Sequence, residues 1–283
     1  MRSAKQNNAG GSPVSRSKLS RGAQRRPDRS HISRRPFVAA TFAMTVDGKV
    51  TTRNFSPVDF TSREDKLHLF RQRALADAVL IGRSTLMRDN VRLGLPQGEL
   101  RERRTKRGQT AYPIRVIVSN KGKIDNRLKI FQSDFSPIVI FSTKRMPRKY
   151  QQALQKVAAL HLSDAQDVDL AAMLRTLRDK YKVRTVACEG GPLLFRGLLE
   201  RGLIDQLNLT IAPYMFGGAN APTLTGLSKE FLPASVHCAL IDMRVVGEEC
   251  FLTYRIKHAR RRSKESRLDG AAGARVHRRS LGK

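Results

Sequence analysis

Short continuous apolar runs alternate with stretches of helical period through most of this chain, and that alternation constrains its fold more than any other feature. Residues 37–43 read as a buried strand, followed by a turn at 46–49. Thr61, Ser62, Arg63 and Glu64 have the spacing of a capping box, and Leu67, Phe70 and Ala74 then share one helix face. Residues 78–81, 114–118, 137–141 and 184–187 are further strand-length runs, with helices expected near 148–157 and 167–180. In the second helix Leu170, Met173, Leu174 and Leu177 lie on one side. Residues 97–112 are polar and basic and read as a long loop. Strands apolar on both faces and separated by helices make a mainly parallel sheet with helices on each side. The last third, with 207–211, 236–246 and 250–256, is strand after strand, which predicts antiparallel pairing at the C-terminal end. One α/β domain over residues 36–257 is the economical reading.

Charge limits the rest. The chain carries 54 Lys and Arg against 24 Asp and Glu, a formal net charge of +30. Residues 1–35 hold ten basic residues and one acid, Asp28; residues 255–283 hold eleven, opposed by Glu265 and Asp269. Segments so charged and so poor in apolar residues cannot bury enough surface to offset the entropy of ordering. Both tails, 1–35 and 258–283, are therefore expected to be disordered. The first is Arg- and Ser-rich like an organellar transit peptide, but the C-terminal tail shares its composition and cannot be such a signal. Cys188, Cys238 and Cys250 are too few and too scattered for a disulfide framework or a four-ligand zinc site, which points to a reducing cytoplasm. No apolar run of about eighteen residues is present, so no membrane span is expected.

Chemistry concentrates where the strand at 184–187 meets Glu189, Gly190, Gly191 and Pro192. Paired glycines let a backbone come close to a ligand, and proline is at home in a helix's first turn. The free N–H groups of a helix start attract phosphate. Many strand–helix turns contain glycine, so an ordinary turn and a phosphate site both fit these residues alone. The same holds elsewhere. Asp47 and Gly48 form a common tight-turn pair, Thr85 and Asp89 fit helix capping, and Arg73 fits a solvated helix end. Glu189 alone fits a surface position.

Several stretches together resemble the reductase family of riboflavin synthesis. Glu189-Gly190-Gly191-Pro192-Leu193-Leu194 is followed by Leu198-Leu199-Glu200-Arg201-Gly202-Leu203-Ile204-Asp205-Gln206-Leu207 and then by Ala212-Pro213 and Gly217-Gly218. This order is similar to the family's E-G-G turn, L-L-x-x-G-L-[IV]-D-[EQ]-L stretch and P-x-x-x-G-G loop. Ala43-Met44-Thr45-Val46-Asp47-Gly48-Lys49 resembles its A-M-S-L-D-G-K opening, and residues 80–90 resemble its L-V-G-x-x-T-x-x-x-D-[DN] segment.

The resemblance implies a dihydrofolate-reductase-like three-layer α/β/α fold, usually a homodimer. It also implies NADPH-dependent reduction of the ribosylamino group of a pyrimidine phosphate to a ribitylamino group. By motif position, it puts NADPH contacts at Met44 through its backbone, Thr85, Asp89, Ser119, Asn120 and from Gly191 through Pro192, Leu193 and Leu194 to Gly197. Substrate contacts would fall at Ser56, Arg73, Leu93 and Glu189, with Arg73 holding the substrate phosphate and Glu189 accepting hydrogen bonds from the pyrimidine or the ribityl hydroxyls. No metal is implied.

The departures cluster on the substrate side. Thr41 stands where fused reductases often carry lysine, residues 54–60 replace a G-D-S-x-W stretch, and Leu93-Gly94-Leu95-Pro96 lacks the family's second substrate arginine. The H-x-E and P-C-x-x-C motifs of a zinc deaminase are absent from the sequence, so deamination is not expected. Two other functions fit these residues. One is a reductase of the same fold acting on a pterin, a folate or another carbonyl or imine. The other is unspecific nucleic-acid binding through Arg25-Arg26 and Arg260-Arg261-Arg262, which lack interleaved aromatics.

Overall fold

A computed structural model describes residues 35–51, 60–226 and 232–257. Except for Arg35, both basic tails lie outside the described residues, as does Ser56. The first strand, β1 (Phe37–Thr45), leads through the 46–51 turn to α1 (Arg63–Leu75), β2 (Ala78–Gly82) and the short α2 (Arg83–Asp89). Next come α3 (Gly98–Lys106), β3 (Ile114–Val118), β4 (Ile138–Thr143), α4 (Arg148–Gln155) and β5 (Ala159–Ser163). The chain continues through α5 (Leu170–Tyr181), β6 (Thr185–Cys188), α6 (Pro192–Glu200) and β7 (Gln206–Ala212), and ends in β8 (His237–Val246) and β9 (Glu249–Lys257).

All nine strands form one sheet in the order β5-β4-β3-β2-β6-β1-β7-β9-β8. The first seven run parallel, and β9 pairs antiparallel with both β7 and β8. This is the three-layer α/β/α sheet with an antiparallel C-terminal end that the apolar pattern predicts. Side-chain alternation builds the two faces. Leu80, Val116, Val139 and Phe141 join Leu174, Leu177 and Phe195 of α5 and α6 on one side. Val79, Ile81, Ile117 and Ile140 face Leu154 of α4 on the other.

Three local expectations need correction. Residues 97–112 are not a loop throughout, because α3 occupies Gly98–Lys106. Its apolar stripe is reduced to Leu100, and its second anchor is a fully buried arginine. Arg104 donates through Nε to Thr110 O at 2.8 Å and through Nη1 to Ala74 O at 3.1 Å and to Ala76 O. The two alanine carbonyls lie at the C-terminal end of α1, so Arg104 does for that helix end what a cap does. Strand β5 also escaped the apolar pattern, because at the sheet's edge its side chains are only partly covered.

On α1 itself the buried residues are His68, Arg73 and Ala74, while Leu67 and Phe70 are partly covered. Ala74 is buried with Phe70 packed against its cluster, as the periodicity predicts, and the polar His68 and Arg73 are buried beside that stripe. The helix start is Ser62, whose Oγ accepts from Glu64 N and Asp65 N. The carboxylate that binds back to the cap comes from afar: Glu249, buried at the start of β9, accepts from Ser62 N at 2.7 Å and Oγ at 2.5 Å. Asp205 likewise pins strand ends, taking both Nη groups of Arg35 and the Val38 amide.

Two consequences can be measured. Arg104→Ala removes the donor to the buried Ala76 carbonyl, Ala74 O keeping its bond from Arg107 Nη2, and should destabilise the protein by about 1–3 kcal/mol in urea titration. His68 accepts at Nδ1 from Arg244 Nη2 at 3.2 Å and lies edge-on to Phe251. Burial first, then Arg244 and Arg71, push its pKa down to about 4. The unfolded chain therefore binds a proton that the folded chain refuses between pH 6.5 and 4, so stability falls with acidity across that window. His68→Phe should remove up to about 2–3 kcal/mol of that loss, read as the difference between pH 7 and pH 4.5 titrations.

Candidate active site

The sheet order creates the site. From β1 the chain passes to β2, moves outward through β3, β4 and β5, and returns to place β6 between β2 and β1. Where parallel connections leave in opposite directions, the strand ends open a crevice. A cleft of about 620 Å³ lies at the C-terminal ends of β2 and β3 and over the start of α6, with Thr85, Asn120, Gly191 and Leu193 among its lining.

The glycine pair has two separate reasons. A Cβ on Gly190 would lie 2.6 Å from Leu194 Cδ2 and 2.8 Å from Gly82 N, so β6 can run alongside the end of β2 only without a side chain there. A Cβ on Gly191 would collide with Thr85 Oγ1. Neither glycine has positive φ; close approach, not turn geometry, is the requirement. The Gly191 N–H donates to Thr85 Oγ1 at 2.9 Å, which locks the first turns of α2 and α6 together. Gly191 caps α6 and Pro192 follows in its first turn, leaving Leu193, 73 % exposed, on the cleft wall.

Beside this cradle sits a buried ion pair. Arg73 Nε donates to Glu189 Oε1 at 2.8 Å and Nη2 to Oε2 at 2.6 Å, with both side chains under a tenth exposed. Arg73 Nη1 donates to Gly94 O. The neighbouring Leu93 is buried with φ +57, an unusual conformation for a branched residue and one that marks a held turn. Arg73 therefore does not stand as an open fork for a phosphate. It holds Glu189 and the 93–94 turn in place.

The other sites implied by resemblance fall in different places. Thr85, Ser119, Asn120, Gly191, Pro192, Leu193 and Leu194 all line the cleft. The polar side chains of three of them are already engaged: Thr85 Oγ1 accepts from Gly191 N, Ser119 Oγ accepts from Gly122 N, and Asn120 bridges Asp167 Oδ1 and Val168 N. Met44 is outside the cleft lining, its side chain packed on the α5–α6 side of the sheet. Asp89 is exposed at the end of α2 and does not line the cleft either; its neighbour Asn90 closes that helix in the left-handed conformation. Leu93 lies in the core, and Ser56 is outside the described residues.

One role was hidden in the sequence. Asp47 accepts from Gly217 N at 2.7 Å and Phe216 N at 3.2 Å, and from Thr45 Oγ1. The Thr45 hydroxyl first, and then these amides, hold its carboxyl below the usual range. It clasps the 213–218 loop to the end of β1, and Val50 N on Pro222 O extends the same tie to the cleft rim. Only the recurrence of Asp47-Gly48 and Gly217-Gly218 as motifs hinted at a link.

Comparison with known proteins adds to this geometry. A family model described as the RibD C-terminal domain matches residues 36–252. A 2,5-diamino-6-ribosylamino-4(3H)-pyrimidinone 5′-phosphate reductase from Archaeoglobus fulgidus is 29 % identical over 221 residues, covering 78 % of this chain and 98 % of that protein. The reductase of that name from Methanothermobacter thermautotrophicus is 27 % identical over 224 residues, covering 79 % and 99 %. Among solved structures, a pyrimidine reductase-like protein from Corynebacterium diphtheriae superposes with a TM-score of 0.70 at 20 % identity, covering 79 % of this chain and 93 % of that one.

Asp47→Asn tests the clasp. The amide group turns a donor toward two donors, so hydrogen exchange at Phe216 and Gly217 should quicken by about tenfold, the loss of one such bond. Unchanged protection at both amides would show that the loop holds without it.

Proposed function

The chain belongs to the RibD C-terminal domain family, and from that premise we propose that it reduces the ribosylamino group of a 2,5-diamino-6-ribosylamino-pyrimidinone 5′-phosphate to a ribitylamino group, using NADPH. The protein is an oxidoreductase of riboflavin biosynthesis; the substrate's amination state and the cofactor are the finer parts of this reading. The observation that carries it is the juxtaposition at the end of β6: a buried, oriented carboxylate directly beside a glycine turn stripped of side chains.

The residues present fit a dinucleotide. The cleft of about 620 Å³ opens over the Gly191 turn, and the first turn of α6 offers the Leu193 amide, while Leu194 N already bonds Gly191 O. When bound, the cofactor supplies the hydride. Thr85 holds the Gly191 turn, and Leu193 covers an apolar part of the ligand. Arg73 holds the Glu189 carboxylate in one orientation, so Glu189 can accept from a hydroxyl or amino group of the substrate. Holding the sugar carbon close to the hydride donor is the larger part of the rate such a site can supply.

We also propose a homodimer built on β8, the unpaired edge of the sheet, whose Leu240, Ile241, Met243 and Val245 are each more than half exposed. Sedimentation of wild type against Met243→Lys addresses it. Three free thiols among the described residues fit the cytoplasm.

The enzymatic test uses purified protein with NADPH or NADH and a panel of aminated and deaminated pyrimidine ribosyl phosphates and dihydrofolate. NADPH with the aminated pyrimidine should give the highest kcat/KM. Glu189→Gln should lower kcat by about ten- to a hundred-fold per folded molecule and leave NADPH affinity within about threefold. Normal turnover in that variant, or turnover of dihydrofolate alone, would overturn the reading.

A further inference from the structure

Both ends of the described chain leave the fold beside one residue. Asp205, just before β7, accepts from both Nη groups of Arg35 and from Val38 N, while its own carbonyl accepts from Ile256 N at 3.0 Å. The residues before Arg35 and those after Lys257 therefore depart from a single place, the foot of the sheet at the N-terminal ends of β1, β6 and β7. The cleft lies at the opposite end of the parallel strands.

At this foot the acids are turned inward and the bases outward. Asp205 is engaged in the clamp just described. Asp77 Oδ2 accepts from Arg184 N, Thr185 N and Thr185 Oγ1, and Oδ1 accepts from Gln109 Nε2. Arg184, Arg255 and Lys257 are exposed, and none of them pairs with an acid among the described residues.

From this foot run the two most basic parts of the sequence. Residues 1–34 and 258–283 together hold eighteen Lys and Arg against three acids, and fourteen of the eighteen are Arg. A guanidinium's planar fork matches phosphate oxygens better than an ammonium does. Neither segment contains Phe, Tyr or Trp. Single strands are held by stacking their bases on aromatic rings, and a membrane surface needs apolar side chains or a lipid anchor besides charge. The dense phosphate ladder of a duplex needs only cations.

We infer that the foot of the sheet, with the two basic segments that leave it, is a docking site for double-stranded DNA, held through its phosphates without sequence preference. Two segments from one origin reach one duplex, so each raises the effective concentration of the other. The contact leaves the cleft uncovered.

Fluorescence anisotropy of the full-length protein with a labelled DNA duplex of about 20 base pairs, two helical turns, tests this. Affinity should fall with salt at a log–log slope of about −5 to −8, as about six to nine neutralised phosphates give. Changing the nine basic residues of 1–34 to Gln, or the nine of 258–283, should in each case weaken binding by more than about tenfold and roughly halve the slope. Arg184→Glu with Lys257→Glu should weaken it by about tenfold with melting temperature unchanged. A loss of only about twofold on neutralising either segment means two separate sites and overturns the inference. So does full affinity after neutralising both, or tighter binding to an oligouridine of the same length or to phosphatidylserine vesicles. Binding is read without turnover, so its failure leaves the reductase reading standing.

Discussion

The Arg73–Glu189 pair is the interaction on which the rest of the site depends. Removing two charges from water costs several kcal/mol per ion, and only close geometry with further hydrogen bonds offsets it. Here two parallel N–H donations bind the carboxylate and a third reaches Gly94 O. An apolar pair of similar volume would hold α1 to β6 as well or better, so stability does not account for it. What the ions supply is position. Arg73 joins the helix, the strand end and the turn at Leu93, whose left-handed backbone costs of order 1–3 kcal/mol and persists because its neighbour's carbonyl is held.

Around this pair the site is made largely of backbone brought close. Gly190 lets β6 lie against the end of β2, and Gly191 bonds Thr85 across the gap, so the walls of the cleft move as one body. Asp47 extends the same principle to the rim, clasping a loop 170 residues away in sequence. Few of these contacts are apolar. The Gly191–Thr85 and Asp47 ties are hydrogen bonds, and the Gly190 contact is a close approach of backbones.

How much of this was legible depended on periodicity. The strands β2, β3 and β4 are apolar on both faces, and such runs announce a covered parallel sheet. Helix α3 was hidden because a buried guanidinium replaced its apolar stripe, and Arg104 in a sequence looks like any solvated arginine. The burial of His68 and Arg73 on α1, beside the predicted Phe70 and Ala74, was hidden for the same reason, since their polar heads find partners only after folding. Gly190 and Gly191 were legible as a close-approach signal. The obstacles that demand them, Gly82 and Thr85, lie more than a hundred residues away.

The sequence alone determined the layer architecture, the place of the glycine turn and the family, because each is written in local patterns that survive without knowledge of neighbours. Tertiary structure decided which charges are free. Arg73, seen as a helix-end cation, became the holder of Glu189; Asp47, seen as a turn residue, became a clasp; Asn120 and Ser119 spent their polar groups on their own loop. Arg184 and Lys257, with nothing in the sequence to distinguish them from the other cations, stayed exposed at the foot of the sheet, with no acid among the described residues to pair with. A side chain's chemistry is local, but whether its hydrogen bonds are already satisfied depends on what the fold brings within three ångströms of it.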